Sequence, residues 1–222
     1  MSHDTIVHRV VRPAVGLLAR TPITPDHLTA LRFATAVAAA AAFAWGGQGW
    51  VEVGAAVFLL SALLDRADGE LARQTRRFSQ HGHRYDLLAD WSAGAMSFVG
   101  LGLGARGGPL GLAAPVLGLL AAAGTSVLFW AINVRDAREP PRHPAGRPRV
   151  LMDPDDYMFG VPLLLWGVGA TGVLLPAGTL TPLLALWMLR RRWARRRMPV
   201  SREMPEIGRP ASGSQSSGAV VH

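Results

Sequence analysis

Residues 65–90 read DRADGELARQTRRFSQHGHRYDLLAD. Four aspartates stand in this stretch, Asp65, Asp68, Asp86 and Asp90, in two pairs spaced three and four residues apart. Apolar, helix-forming sequence leads into the first pair (VGAAVFLLSALL, 53–64) and away from the second (WSAGAMSFVGLGLG, 91–104). At 3.6 residues per turn, Asp65, Asp68, Gly69 and Ala72 fall along one stripe, with Arg73 at its margin. Asp86 and Asp90 share a face of the following helix. A short polar link of about ten residues around Gly82 lets the two helices run antiparallel, with those faces opposed. Four carboxylates would then converge on a small volume and repel one another unless cations join them. All-oxygen ligands suit Mg²⁺ or Mn²⁺. The stretch predicts a metal site between two helices.

Asp65-x-x-Asp68-Gly69-x-x-Ala72-Arg73, eight residues, then Gly82-x-x-x-Asp86-x-x-x-Asp90, resembles the signature of the CDP-alcohol phosphotransferase family. The specified positions match in order and spacing, and the expected topology extends the similarity to about residues 5–198. The resemblance implies an all-α membrane enzyme that transfers a substituted phosphoryl group from a CDP-linked donor to an alcohol, releasing CMP. Many relatives use CDP-diacylglycerol. A homodimer is also implied.

The flanking sequence supports a membrane setting. The chain has 222 residues, room for one ordinary domain, and half are hydrophobic. Charged residues cluster between apolar runs long enough to span a bilayer. Cysteine is absent, so neither a disulfide nor a thiolate site exists. The net charge of +8 comes with arginine as the sole strong base. Those arginines follow the expected membrane boundaries, which argues against a nucleic-acid surface. The N-terminus lacks the apolar core and small-residue cleavage site of a secretory signal, so it reads as mature structure.

Residues 1–27 are expected to form a cytoplasmic, interfacial segment. Between Asp4 and Arg20 apolar and basic residues alternate at near-helical spacing, interrupted by Pro13. This predicts an amphipathic helix on the cytoplasmic leaflet, with a floppy basic leader as the alternative. In TPITPDHLTALR, Thr24 or Asp26 can cap the next helix. The same stretch resembles the Thr-Pro-Asn-x-x-Thr segment of the family, with Asp26 in place of Asn. The resemblance carries Pro25 and Thr29 over as nucleotide-side contacts, and capping is the competing account.

The membrane domain is expected over 28–198, with six spans near 28–46, 50–73, 83–104, 109–134, 156–174 and 178–196. Links near 47–49, 105–108 and 175–177 hold only Arg106 among their bases, while every opposite link is arginine-rich. The positive-inside rule then puts both termini and the aspartates on the cytoplasmic side of the cell membrane. Asp65 lies roughly 22 Å along the second span, near its cytoplasmic end. A lipid-facing charge at mid-bilayer costs at least about 2.5–3.5 kcal/mol on insertion scales, so these carboxylates imply a polar cavity. Helix-end salt bridges to Arg66, Arg73, Arg76 and Arg84 would account for one or two aspartates, hardly for four.

Two divalent ions can bridge diphosphate oxygens and stabilise a leaving phosphate during in-line attack by an alcohol. Asp65, Asp68 and Asp86 would be the principal ligands. The resemblance makes Asp90, nearest the acceptor, the general base as well as a partial ligand. Gly69 and Gly82 would let the nucleotide approach the backbone, Ala72 would keep that wall low, and Arg73 would offer a planar donor fork. Close helix packing explains the glycines equally well. His81 and His83 read as a solvated loop. Asp153, Asp155 and Asp156 read as caps before Tyr157, or as part of an acceptor pocket. Residues 199–222 are Ser/Gly/Pro-rich and read as a disordered tail. Two other functions compete: a membrane prenyltransferase using Mg²⁺-bound diphosphate, and a cation transporter. The first places its aspartate motifs far apart in a longer chain. The second would distribute acids across the membrane.

Overall fold

A computed structural model of the chain describes residues 6–75, 80–136 and 157–197. Within them the fold is all-helical: α1 (Ile6–Leu18), α2 (Pro25–Trp45), α3 (Gln48–Thr75), α4 (Gln80–Gly104), α5 (Ala113–Asp136) and α6 (Tyr157–Arg197), with a 3₁₀ turn at Ala105–Gly107. The expectations for Arg76, Arg77, the 137–156 loop with its acidic cluster and the 199–222 tail lie outside the described residues. So do those for the side chains of His81, His83, Arg84, Arg135 and Arg195 to Arg197.

Helix α2 starts where the sequence says it should. Pro25 takes its first position, where a missing N–H costs nothing. The N-cap Thr24 N–H donates to His27 Nδ1 at 3.2 Å, satisfying a group that the first turn cannot. At the other end Gly46 and Gly47 adopt φ of 80° and 81°, a left-handed conformation that glycine reaches without a Cβ clash. Two such residues reverse the chain, and α3 returns antiparallel to α2. The register is fixed by Gly54 against Phe43, by Ser61 Oγ donating to the Arg32 carbonyl at 3.0 Å, and by Thr29 beside Asp68.

Helix α4 lies along α2 in the same direction. A Cβ at Gly100 would strike the Ala40 carbonyl, so this contact depends on glycine and on the alanine run of α2. Helix α5 then packs antiparallel to α4, with Gly102 and Gly118 facing each other and Trp91 Nε1 donating to Ser126 Oγ at 2.8 Å. The shared core holds Ala36, Ala39, Phe43, Ala55, Phe58 and Leu101, with Leu165 and Leu174 from α6. Alanine is its most frequent member, as suits helices that gain little from burial in lipid and associate by close backbone approach.

Helix α6 runs over 41 residues and is interrupted at Gly169, whose φ of 71° and ψ of 178° are not helical. Trp166 Nε1 donates to the Glu52 carbonyl near the start of α3, at 3.4 Å. After Gly169 the chain follows α5: Gly178 meets Leu117, Thr181 Oγ1 donates to the Ala121 carbonyl at 3.3 Å, and Arg192 donates to that of Ala131. The sequence predicts the interruption at 175–177, next to Pro176. The helix instead carries Pro176 and Pro182 in its interior and bends where a residue without Cβ sits.

Among the described residues, four helical stretches are long and apolar enough to cross a bilayer: Pro25–Trp45, Tyr85–Gly107, Ala113–Asn133 and Phe159–Ala194. Their outward faces carry Phe33, Val37, Leu119, Leu163 and Leu183, exposed as in a lipid-facing surface. This is the fold of a multi-pass membrane protein. The six-span expectation differs from this count at two places. Helix α3 is not among the four, and the last two expected spans join in α6.

Two further details depart from expectation. Helix α4 already begins at Gln80, so Gly82 lies in its first turn rather than in a link. Helix α1 runs through Pro13 without ending. Its Val11 and Val15 are buried against Leu28, Ala67 and Leu71, a small second core that fastens α1 to the motif half of α3.

Candidate metal centre

The antiparallel α2–α3 pair and the parallel α2–α4 pair bring three chain segments to one end of the bundle. These are the start of α2, the second half of α3 and the start of α4. Asp65 and Asp68, one turn apart on α3, face Asp86 and Asp90, one turn apart on α4. Carboxylate oxygens of Asp65, Asp68 and Asp86 lie within 4.8 Å of one another. At an effective dielectric near 20, each pair of charges at that range repels by about 3.5 kcal/mol. A cation is needed to hold them there.

One cation comes from the chain itself. Arg32 of α2, only 1% exposed, donates from one terminal nitrogen to Asp86 Oδ1 at 2.6 Å, and the same nitrogen forms an ion pair with Asp65 Oδ1 at 2.7 Å. Its other terminal nitrogen donates to Asp90 Oδ1. Four carboxylates and one guanidinium still leave three net negative charges. The donor set is oxygen only, hard and multiply charged, which fits a divalent cation of the Mg²⁺ or Mn²⁺ kind. Asp68 is the most enclosed of the four aspartates, at 6% exposure, and Thr29 Oγ1 approaches its Oδ2 at 3.0 Å. That hydroxyl also lies 3.2 Å from the Pro25 carbonyl, so its single proton serves one acceptor at a time.

The rest of the expected site gathers around this cluster unevenly. At Gly69 an added Cβ would meet only Arg73, whose guanidinium folds over it at 3.6 Å. Ala72 is half-buried on the same stripe. Arg73 is turned toward Glu70, donating from Nε and NH2 to Glu70 Oε2 at 3.1 and 3.0 Å. Pro25 is linked to the cluster through Thr29. Gly82 precedes Asp86 by four residues on α4, and only its backbone position is described.

Arg32 and Glu70 were not among the residues singled out from sequence. A signal existed for Arg32. It follows Thr29 by three residues, hence on the same face, and opens a run that is otherwise nearly all apolar. An ionisable residue there demands a partner. The salt-bridge alternative named Arg66, Arg73, Arg76 and Arg84, yet the guanidinium bridging the two aspartate pairs comes from another helix.

The model of the CDP-alcohol phosphatidyltransferase family matches residues 22–191. The chain belongs to this family. The matched region starts just before α2, includes the whole aspartate cluster and ends within the last turns of α6. Another similar protein is the bifunctional IPC transferase and DIPP synthase of Rubrobacter xylanophilus, 38% identical over 88 residues. That alignment covers 40% of this chain and 20% of the relative, so the chain spans about a fifth of that protein's length. Membership in this family agrees with the multi-pass membrane fold described above. This favours the CDP-alcohol reading over the prenyltransferase and transporter alternatives.

Proposed function

We propose that the protein transfers a substituted phosphoryl group, specifically phosphatidyl, from CDP-diacylglycerol or a similar CDP-linked donor to the hydroxyl of an alcohol. The bond from acceptor oxygen to phosphorus forms, the bond from phosphorus to CMP breaks, and the hydroxyl proton leaves to a carboxylate. The observation carrying this reading is the convergence of Asp65, Asp68 and Asp86 from two helices, with Asp90 one turn further along α4.

Asp65, Asp68, Asp86 and in part Asp90 would hold two divalent ions. Such ions, when bound, neutralise diphosphate charge and stabilise the leaving phosphate. Asp90 faces the acceptor side and takes its proton, while Arg32 orients it against Asp86. Thr29 keeps Asp68 in position and, with Pro25, borders the nucleotide. Gly69, Ala72 and Gly82 leave room for the nucleotide against the backbone. Arg73 donates to its phosphate or to the cytosine carbonyl.

The membrane arrangement in this reading has six crossings: α2, α3, α4, α5 and the two limbs of α6 on either side of Gly169. Helix α3 has 28 residues and measures about 42 Å, longer than the roughly 30 Å hydrocarbon layer. Its charged half therefore reaches the cytoplasmic boundary, where α1 lies along the leaflet. Trp45 and Trp50, with ring centroids 5.7 Å apart, mark the opposite interface. The protein would sit in the cell membrane with both termini cytoplasmic, as a homodimer.

The decisive experiment incubates purified protein with labelled CDP-diacylglycerol, Mg²⁺ and a panel of polyols, following CMP release and lipid product. Release that depends on both metal and one acceptor supports the proposal. Absence of release with every acceptor, for protein shown to be folded, contradicts it.

A further inference from the structure

Glu70 is a buried carboxylate that the aspartate cluster does not use. It is 6% exposed, yet both its oxygens are engaged. Oε2 accepts from Arg73 Nε and NH2 at 3.1 and 3.0 Å. Oε1 accepts from Gln74 Nε2 at 3.1 Å and faces Arg12 Nε of α1 at 3.5 Å. A buried carboxylate survives when such partners replace its water, and the same partners lose their freedom. The guanidinium of Arg73 is thereby drawn flat over Gly69, on the stripe that carries Asp65 and Asp68. An unrestrained arginine would sample many rotamers, and ordering it on ligand binding would weaken affinity.

We infer that Glu70 is a positioning residue that holds Arg73 ready for the CDP moiety, and that α1, through Arg12, braces it. The inference rests on the proposed reading of Arg73 as a donor contact. The packing around it supports the brace. Val11 and Val15 on either side of Arg12 are buried against Ala67 and Leu71, which flank Glu70 in sequence. Moving α1 would therefore disturb Glu70 directly. Donor affinity becomes linked to the seating of a helix that lies outside the aspartate cluster.

The test measures binding of cytidine diphosphate with Mg²⁺ to the full chain by calorimetry, in Glu70→Gln, Arg73→Gln, the double variant and Arg12→Gln. Losing a charged hydrogen bond should weaken binding about tenfold in Arg73→Gln and about five- to tenfold in Glu70→Gln. The double variant should bind no worse than Arg73→Gln alone, and Arg12→Gln should lose about twofold. In turnover, Glu70→Gln should raise the donor KM while kcat stays within about twofold. A merely structural role would lower the melting temperature and leave the affinity of folded protein unchanged, which overturns the inference. So would additive losses in the double variant, since Glu70 would then act without Arg73. If Arg73→Gln binds normally, the donor-contact reading fails first and the inference with it. If Glu70→Gln does not fold, Arg12→Gln and Gln74→Ala release the other carboxylate oxygen, and unchanged affinity in both overturns the brace.

Discussion

Arg32 on α2 and Asp86 on α4 are 54 residues apart in sequence and joined by a 2.6 Å charged hydrogen bond. The same nitrogen reaches Asp65 on α3 at 2.7 Å, so one guanidinium ties three helices together at the carboxylate cluster. Removing one member of a buried ion cluster leaves the others uncompensated, at a cost of about 3–5 kcal/mol. Arg32→Met should therefore lower the melting temperature markedly in a chelator. Because a divalent ion can supply the lost positive charge, Mg²⁺ should restore more stability to Arg32→Met than it adds to the parent. Equal losses with and without Mg²⁺ would mean that Arg32 matters only for packing.

Asp68 and Asp86 approach the cluster from opposite chain directions, and each contributes one formal charge to it. Replacing either by Asn keeps the shape and removes an anionic ligand. Activity should fall by orders of magnitude, or the Mg²⁺ concentration needed for half-maximal rate should rise steeply. Titrating Mg²⁺ against CMP release in both variants measures this. Unchanged metal dependence in the pair would defeat the metal assignment.

The aspartates were legible because helix periodicity is local: spacings of three and four fix a shared face regardless of what lies opposite. Arg32 was not legible as their partner. Its approach depends on the Gly46–Gly47 reversal and on the alanine surface of α2, which set cross-helix register. No window around residue 32 contains that information. Glu70 was hidden for a related reason, since its partner Arg12 belongs to a helix whose docking rests on Val11 and Val15. The bend in α6 was misplaced from sequence because Pro176 is the louder local signal. A proline inside a helix loses one backbone hydrogen bond and can still be carried, whereas the conformation at Gly169 ends the helical path itself.

The two limbs of α6 give a topology prediction. The chain has no cysteine, so single-cysteine variants report cleanly. Cysteine at Ala170, Gln48 or Gly108 should react with an impermeant thiol reagent added outside intact cells. Cysteine at Gln74 should react only after permeabilisation. Labelling of Ala170→Cys from the cytoplasmic side alone would rule out a reversal near Gly169.

Asp90 and Asp65 separate proton transfer from ion binding. Asp90 lies one turn beyond Asp86 along α4, its Oδ1 held by Arg32, and it is outside the three carboxylates that lie mutually closest. An acceptor hydroxyl arriving on that side needs its proton removed as the bond to phosphorus forms. A positioned base contributes typically about 10²–10⁴-fold. Asp90→Asn keeps a side-chain oxygen that can still accept from Arg32. It should retain CDP binding in Mg²⁺ while losing turnover within that range. Asp65→Asn withdraws charge from the cluster itself and should lose binding and turnover together. Calorimetry with cytidine diphosphate, paired with single-turnover CMP release, distinguishes the two. Near-native turnover in Asp90→Asn would require a different base. Loss of binding as complete as in Asp65→Asn would instead make Asp90 a ligand of the metal centre, with the proton leaving by another group.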